Sequence, residues 1–333
     1  MRACRKGRDA KVDALLRQAE IITAGAEPAI RAQVLAGRAA LAAGTTDFVE
    51  ARDYGAAAER MCIEECKGQL TEAALARFVK QVSHFYLGEW KSLRAAYEAH
   101  RLDCVKRDDL LWLYVGAAHV GWIEPIMADD AAAAMNVVAE VEELEQRTGA
   151  PISFASPLMV RSWVHRYRGE GALALEALDA LWPKLRHQGV RWILVLELRA
   201  RSDRASAALT ALVEGKHGEK GRRRLLAIAD KELSRIERIK LTVAPSYATL
   251  GRAALACQRG DRTRAIQLLT DSRERLVQGG FKGFLAAAER HLGALVGGTE
   301  GATLVQRADA YFTEEGVKRP DRFAAMLLPG FQV

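Results

Sequence analysis

The feature that most constrains this chain is a glycine followed five residues later by an alanine, set between two amphipathic segments: Gly169 with Ala174, and Gly260 with Ala265. A looser third copy centres on Gly88, in Leu87-Gly88-Glu89-Trp90. Glycine tolerates the left-handed backbone that ends a helix. A small residue on the next helix lets the two helices approach closely. The pattern predicts helix–turn–helix units stacked side by side, an architecture that makes surfaces rather than reaction centres.

The unit from Pro245 to Gln278 is the cleanest. Ala253 stands seven residues before Gly260, Asp261 occupies the N-cap position, and Ala265, Leu269, Ser272 and Leu276 fall on one helical face. The unit from Leu158 to Leu181 repeats this with Ser162, Gly169, Ala174 and Leu178, whereas the copy at Gly88 has Gln81 and Leu93 in the matching places. This small–Gly–Ala pattern resembles the tetratricopeptide repeat. The intervals between Gly44, Gly88, Gly169 and Gly260 are 44, 81 and 91 residues. They suggest irregular units of about forty residues rather than the usual 34 or so.

Helical spacing of apolar residues predicts helices over 9–24, 27–43, 46–66, 70–87, 90–105, 107–120, 127–147, 152–168, 171–187, 190–213, 219–240, 245–258, 261–278, 281–296 and 301–316. Trp192-Ile193-Leu194-Val195-Leu196 has strand-like composition but no partner strand, so it is read as helix. Pro28, Pro151, Pro245 and Pro320 each precede a helical pattern, while Pro183 lies inside one and implies a kink or an early stop. The expected fold is an all-α solenoid of antiparallel hairpins, with N-terminal repeats over 1–150 and C-terminal repeats with a capping tail over 151–333. The helices should pile up into an elongated stack with an exposed inner flank.

Half of the 333 residues are hydrophobic, mostly Ala and Leu, which fits packed helices. The longest apolar stretch, Leu110 to Ile123, falls short of the roughly 20 residues of a membrane span and reads as a buried helix. The basic start, Met1-Arg2-Ala3-Cys4-Arg5-Lys6, lacks the apolar region of a secretory signal. Five cysteines without framework spacing imply reduced thiols and a cytoplasmic chain. Cys62 with Cys66, and His100 with Cys104, lie one helical turn apart; they read as gap-filling residues rather than metal ligands.

No phosphate-binding loop, dinucleotide fingerprint, zinc-hydrolase motif, serine-hydrolase elbow or kinase tripeptide occurs in the sequence. Gly297-Gly298-Thr299-Glu300-Gly301 reads as a turn between helices, and no two of the seven histidines share helical spacing. No enzyme activity, cofactor or metal is expected.

The net charge of +7 is local. Residues 1–13 carry +3 and residues 216–240 carry +5, against an acidic stretch from Met127 to Arg147. Lys216, Lys220, Arg222, Arg223 and Arg224 lead into a helix bearing Lys231, Arg235, Arg238 and Lys240. Clustered cations suit phosphates, but no aromatic residue is interleaved for base stacking. Leu225, Ile228, Ala229, Leu233 and Ile236 would face the stack and leave the basic residues in solvent. A solvated face is the first reading, an acidic protein partner the second, and nucleic acid the third. Trp112, Trp122, Trp163, Trp182 and Trp192 are either groove hot spots or fillers between helices.

The C-terminal segment is the most idiosyncratic: Ala308-Asp309-Ala310-Tyr311-Phe312, Gly316-Val317, Pro320-Asp321-Arg322-Phe323, Met326 and Pro329-Gly330-Phe331. It resembles the terminus of large bacterial serine/threonine protein kinases of the myxobacterial kind, in which a kinase domain and an ATPase module precede a long helical-repeat tail. The resemblance implies a sensor or scaffold tail. Neither catalytic module is present, so it carries over no catalytic residue. Together these observations predict a non-catalytic protein-binding or regulatory module. Its contacts would come from the first helices of the pairs (Arg161, His165, Arg252, Gln258) and from the basic helix (Arg222, Arg223, Arg224, Lys231, Arg235, Arg238). The alternative is a nucleic-acid or phosphate-rich partner on the 216–240 segment.

Overall fold

The computed structural model describes residues 9–66, 68, 70–149, 156–187 and 193–332, and these are all-helical with no strand. In chain order the helices are α1 (Asp9–Thr23), α2 (Pro28–Thr45), α3 (Phe48–Glu64), α4 (Leu70–Leu87), α5 (Trp90–Arg107), α6 (Leu110–Gly116), a π-helical turn at Ala117–Gly121, and α7 (Ile123–Met127). There follow α8 (Ala131–Thr148), α9 (Pro157–Tyr167), α10 (Gly171–His187), α11 (Leu194–Glu214), α12 (Glu219–Ile236) and α13 (Ala244–Gln258). Last come α14 (Arg262–Gln278), α15 (Lys282–Val296), α16 (Gly298–Glu314) and α17 (Pro320–Leu327). Each long helix packs chiefly on the helices before and after it.

One turn geometry recurs through the chain. A left-handed residue ends the helix, and the following amide donates back to a carbonyl five residues earlier, as in a Schellman cap. Gly88, Gly169 and Gly260 adopt φ of 82°, 73° and 82°, and Glu89, Glu170 and Asp261 make the backward bonds at 3.0, 2.8 and 2.9 Å. The same bond follows Thr46, Asp108, Asp129, Gly280 and Gly316. Aspartates then cap the next helix: Asp47, Asp109, Asp130 and Asp261 accept from the amides of Glu50, Trp112, Ala133 and Arg264. Gly44, counted from the sequence as a turn marker, instead lies buried inside α2; Thr46 makes that turn.

Other expectations need correction. Helix α10 runs through Pro183 to His187 without stopping. The apolar stretch continues beyond Ile123 through α7, so Leu110–Met127 has the length and composition to cross a membrane, yet 67% of it is buried inside the protein. Apolar spacing does not predict α7, whereas α17 begins at Pro320, where that proline's position predicts a helix. Cys4, Pro151 and Trp192 lie outside the described residues.

The stack is not an open rod. The α4–α5 turn meets α15 and α16: a Cβ on Gly88 would sit 2.4 Å from the Gly283 nitrogen, and the Tyr311 hydroxyl donates to the Gly88 carbonyl at 2.8 Å. The Lys91 amide donates to Glu315 at 2.9 Å. Trp90, 1% exposed, stacks on Phe312 and meets Phe323 edge-on at 4.7 Å. The C-terminal segment then turns inward rather than covering the last hairpin. Met326 and Gly330 offer their carbonyls to Arg166 and Gln258, and Phe331 stacks on His291 at 4.5 Å. The largest buried cluster runs from Phe48 to Phe331, so the segments 1–150 and 151–333 share one core. Trp90, Phe312 and Phe323 at the junction are among the largest fully buried side chains, and their burial favours the closed arrangement.

Gly88 and Gly260 have the same φ but different surroundings, since nothing lies within 4 Å of a Cβ on Gly260. Gly260→Ala should therefore cost only the left-handed strain, about 1–2 kcal/mol. Gly88→Ala adds overlap with Gly283 and should cost at least twice as much in urea denaturation. Equal losses would contradict the close approach.

Candidate functional site: a central cavity and an outer cleft

Closure of the array leaves a cavity of about 60 Å³ at its centre. Its wall is assembled from α3, α4, α9, α11, α12, α13, α15 and the residues after α17. Most of it is apolar, with Phe48, Phe85, Trp163, Leu209 and Phe284 among the lining side chains. The polar exceptions converge. Arg166 on α9 donates through Nη1 to Asp203 on α11 at 3.1 Å, with side chains only 1% and 4% exposed. The Arg166 guanidinium lies 4.1 Å from the Trp163 ring centroid, and Nη2 is taken by the Met326 carbonyl. Arg199 approaches Asp203 from the next turn of α11, Nε to Oδ2 at 3.9 Å, too far for a hydrogen bond.

Burial dominates the electrostatics here. It lowers Arg166 to about 10 even beside Asp203, and it raises the Asp203 carboxyl against the pull of Arg166 and Arg199. It also lifts the phenols of Tyr86 and Tyr247, which line the cavity. Tyrosines shifted further from neutrality are poor acid–base groups at pH 7. The lining contains no histidine or cysteine.

Beside the cavity lies an open cleft of about 970 Å³ between α1–α3 and the start of α13 with the end of α14. Leu41, Ala42, Val49 and Phe281 give it an apolar floor, and Arg17, Asp47, Glu50, Arg275 and Gln278 supply a mixed polar rim. Buried Arg38 holds this wall together by pairing with Asp13 and Glu20 and donating to the Tyr54 hydroxyl. Thr46 and Val243 line both spaces, so the cleft and the cavity adjoin there.

The residues singled out from the sequence do not assemble into one site. Arg161 pairs with Glu142, and the His165 ring contacts Glu170 at 2.7 Å. Arg252 is held by Asp230, Ser234 and Glu237. Gln258 faces the interior, 5% exposed, donating to Gly330; the expectation of a groove contact there is corrected by the inward course of the C-terminal segment. On α12, Arg222 donates to the Gln258 carbonyl, and Arg235 lies 3.7 Å from Glu232. Arg223 lies 3.6 Å from Glu219 but remains exposed, as do Arg224, Lys231 and Arg238. Ala229, Leu233 and Ile236 are buried on the opposite side. Trp122 and Trp163 are core, and Trp112 and Trp182 are half-buried. His100 and Cys104 approach to 3.6 Å, but among the described residues no group of three or more potential ligands gathers for a metal.

No family model matches the chain, and no curated protein matches it either.

The Arg166–Asp203 pair is open to a direct test. Arg166→Met or Asp203→Leu alone should cost about 3–5 kcal/mol, because each leaves a buried charge without its partner. The double substitution should cost clearly less than the sum, measured as a double-mutant cycle in denaturant. Additive losses would mean that the two groups do not depend on each other.

Proposed function

We propose that this chain is a non-catalytic protein-binding and regulatory module of tetratricopeptide-like helical hairpins, acting as the cytoplasmic sensor or scaffold part of a bacterial serine/threonine kinase system. The observation that carries the reading is the open cleft. Its two walls come from hairpins far apart in sequence, its floor is apolar, and its rim offers charges of both signs. At about 970 Å³ it falls within the ~300–1,000 Å³ range of ligand clefts. An extended peptide with alternating apolar and charged side chains suits it. The first-helix residues expected from sequence are engaged within the protein, which moves the contact surface to the cleft. The link to kinases rests on the C-terminal resemblance alone.

A second reading keeps the exposed cations of α12 and of the turn after it. Arg223, Arg224, Lys231 and Arg238 form a basic outer face suited to a phosphate-rich or nucleic-acid partner.

Peptides selected from a random display library on the immobilised chain should bind with micromolar affinity. Val49→Trp, which fills the cleft from its rim, should weaken them about tenfold, or about 1.4 kcal/mol. Arg223→Glu with Arg224→Glu should leave them unchanged. Failure to select any peptide, or binding indifferent to Val49→Trp, would contradict the cleft reading. A salt-dependent gel shift of nucleic acid, lost in the α12 variant and retained in Val49→Trp, would replace it with the second.

A further inference from the structure

The central cavity holds more charge than a cavity formed only by imperfect packing would. Two guanidiniums, Arg166 and Arg199, flank one carboxylate, Asp203, and the lining contains no other acidic residue. The local balance is therefore one positive charge. The Arg166 Nε and the Ser202 hydroxyl are buried and without hydrogen-bond partners, as is one acceptor, the Asp203 Oδ2. Among the described residues, Arg199, its side chain 14% exposed, pairs with Asp203 at 3.9 Å. A desolvated cation with unspent donors favours an anion that brings its own acceptors. Around these groups the wall is aromatic and aliphatic, so a fully hydrated inorganic ion would lose its shell against Phe48, Phe85, Leu209 and Phe284.

Size narrows the class further. A cavity of 60 Å³ exceeds several-fold the ~10–15 Å³ that one water centre needs. That suits a compact organic body. The cavity adjoins the outer cleft, since Thr46 and Val243 line both. Thr46 is itself a left-handed turn residue at φ 70°.

We propose that the central cavity is a binding site for a compact monocarboxylate with an apolar body, its carboxylate received by Arg199 and the free edge of Arg166, its body seated among the aromatic walls. Asp203 orients both guanidiniums and rejects dianions. The site is independent of the peptide-binding reading of the cleft: it uses other residues and another ligand class, and either can fail without the other.

The test uses benzoate and its neutral isostere benzamide with the full chain, by calorimetric titration and ligand-observed NMR. Benzoate should bind in the millimolar range or tighter, and benzamide at least about tenfold more weakly. Arg199→Met should abolish that preference, whereas Arg199→Lys should retain part of it. Thermal melts without ligand report that each variant is folded. A Ser206→Leu substitution, which fills the cavity from α11 without removing a charge, should abolish binding of both compounds. Absence of benzoate binding to the wild-type chain, equal affinities for the two compounds, or a preference that survives Arg199→Met would each overturn the proposal.

Discussion

Everything else in this molecule depends on the junction between the α4–α5 turn and the C-terminal helices. Two glycines, Gly88 and Gly283, bring the backbones together, and Trp90 is wedged against Phe312 and Phe323. Helical hairpins stacked by nearest-neighbour contacts alone would form an extended array with a free inner face. Here the α4–α5 turn meets α15 and α16, and the segment after α16 is drawn into the enclosed space. The cavity exists because of that return: Leu327, Leu328 and Pro329 supply part of its wall, and Arg166 is anchored by the Met326 carbonyl.

Buried charge is the second organising element. Arg166 and Asp203 lie 37 residues apart in sequence and meet in the buried centre of the fold. Desolvating both costs more than their attraction alone returns, so the pair contributes more to choosing one packing of α9 on α11 than to stability. Ladders on buried carboxylates do similar orienting work further out. Glu232, 1% exposed, accepts from both Arg201 and Arg204, and Glu289 accepts from Arg273 and Arg307. None of these four arginines is among the cations singled out from the sequence, of which Arg223, Arg224, Lys231 and Arg238 stay exposed.

Much of the helical order was legible because its signals are local. Gly169 and Gly260 announce their turns through the alanine that follows, and Asp261 caps as its position requires. The helix breaks near Thr46 and Asp108 follow from the apolar spacing, but the left-handed geometry at Thr46, Asp108 and Asp129 does not, because a non-glycine residue takes it there, held by the backward hydrogen bond rather than by its own preference. The C-terminal aromatics stood out as unusual, but nothing in their spacing says that they pack on Trp90, more than two hundred residues upstream. The same holds for the cavity. Arg166 shares a helical face with buried Ser162, and Asp203 with buried Ala207, which marks each as a charge on an inner face. That they face each other, with Arg199 beside them, is a property of the closed array.

The claim that closure by the C-terminal segment organises the whole chain is tested most directly by removing residues 320–333 and measuring small-angle X-ray scattering. The full chain should give a radius of gyration near the ~20 Å of a compact protein of this length. The shortened chain should scatter as a wider, opened array, with a radius larger by several ångströms. An unchanged radius would contradict the account, since the ends would then meet without the segment that joins them.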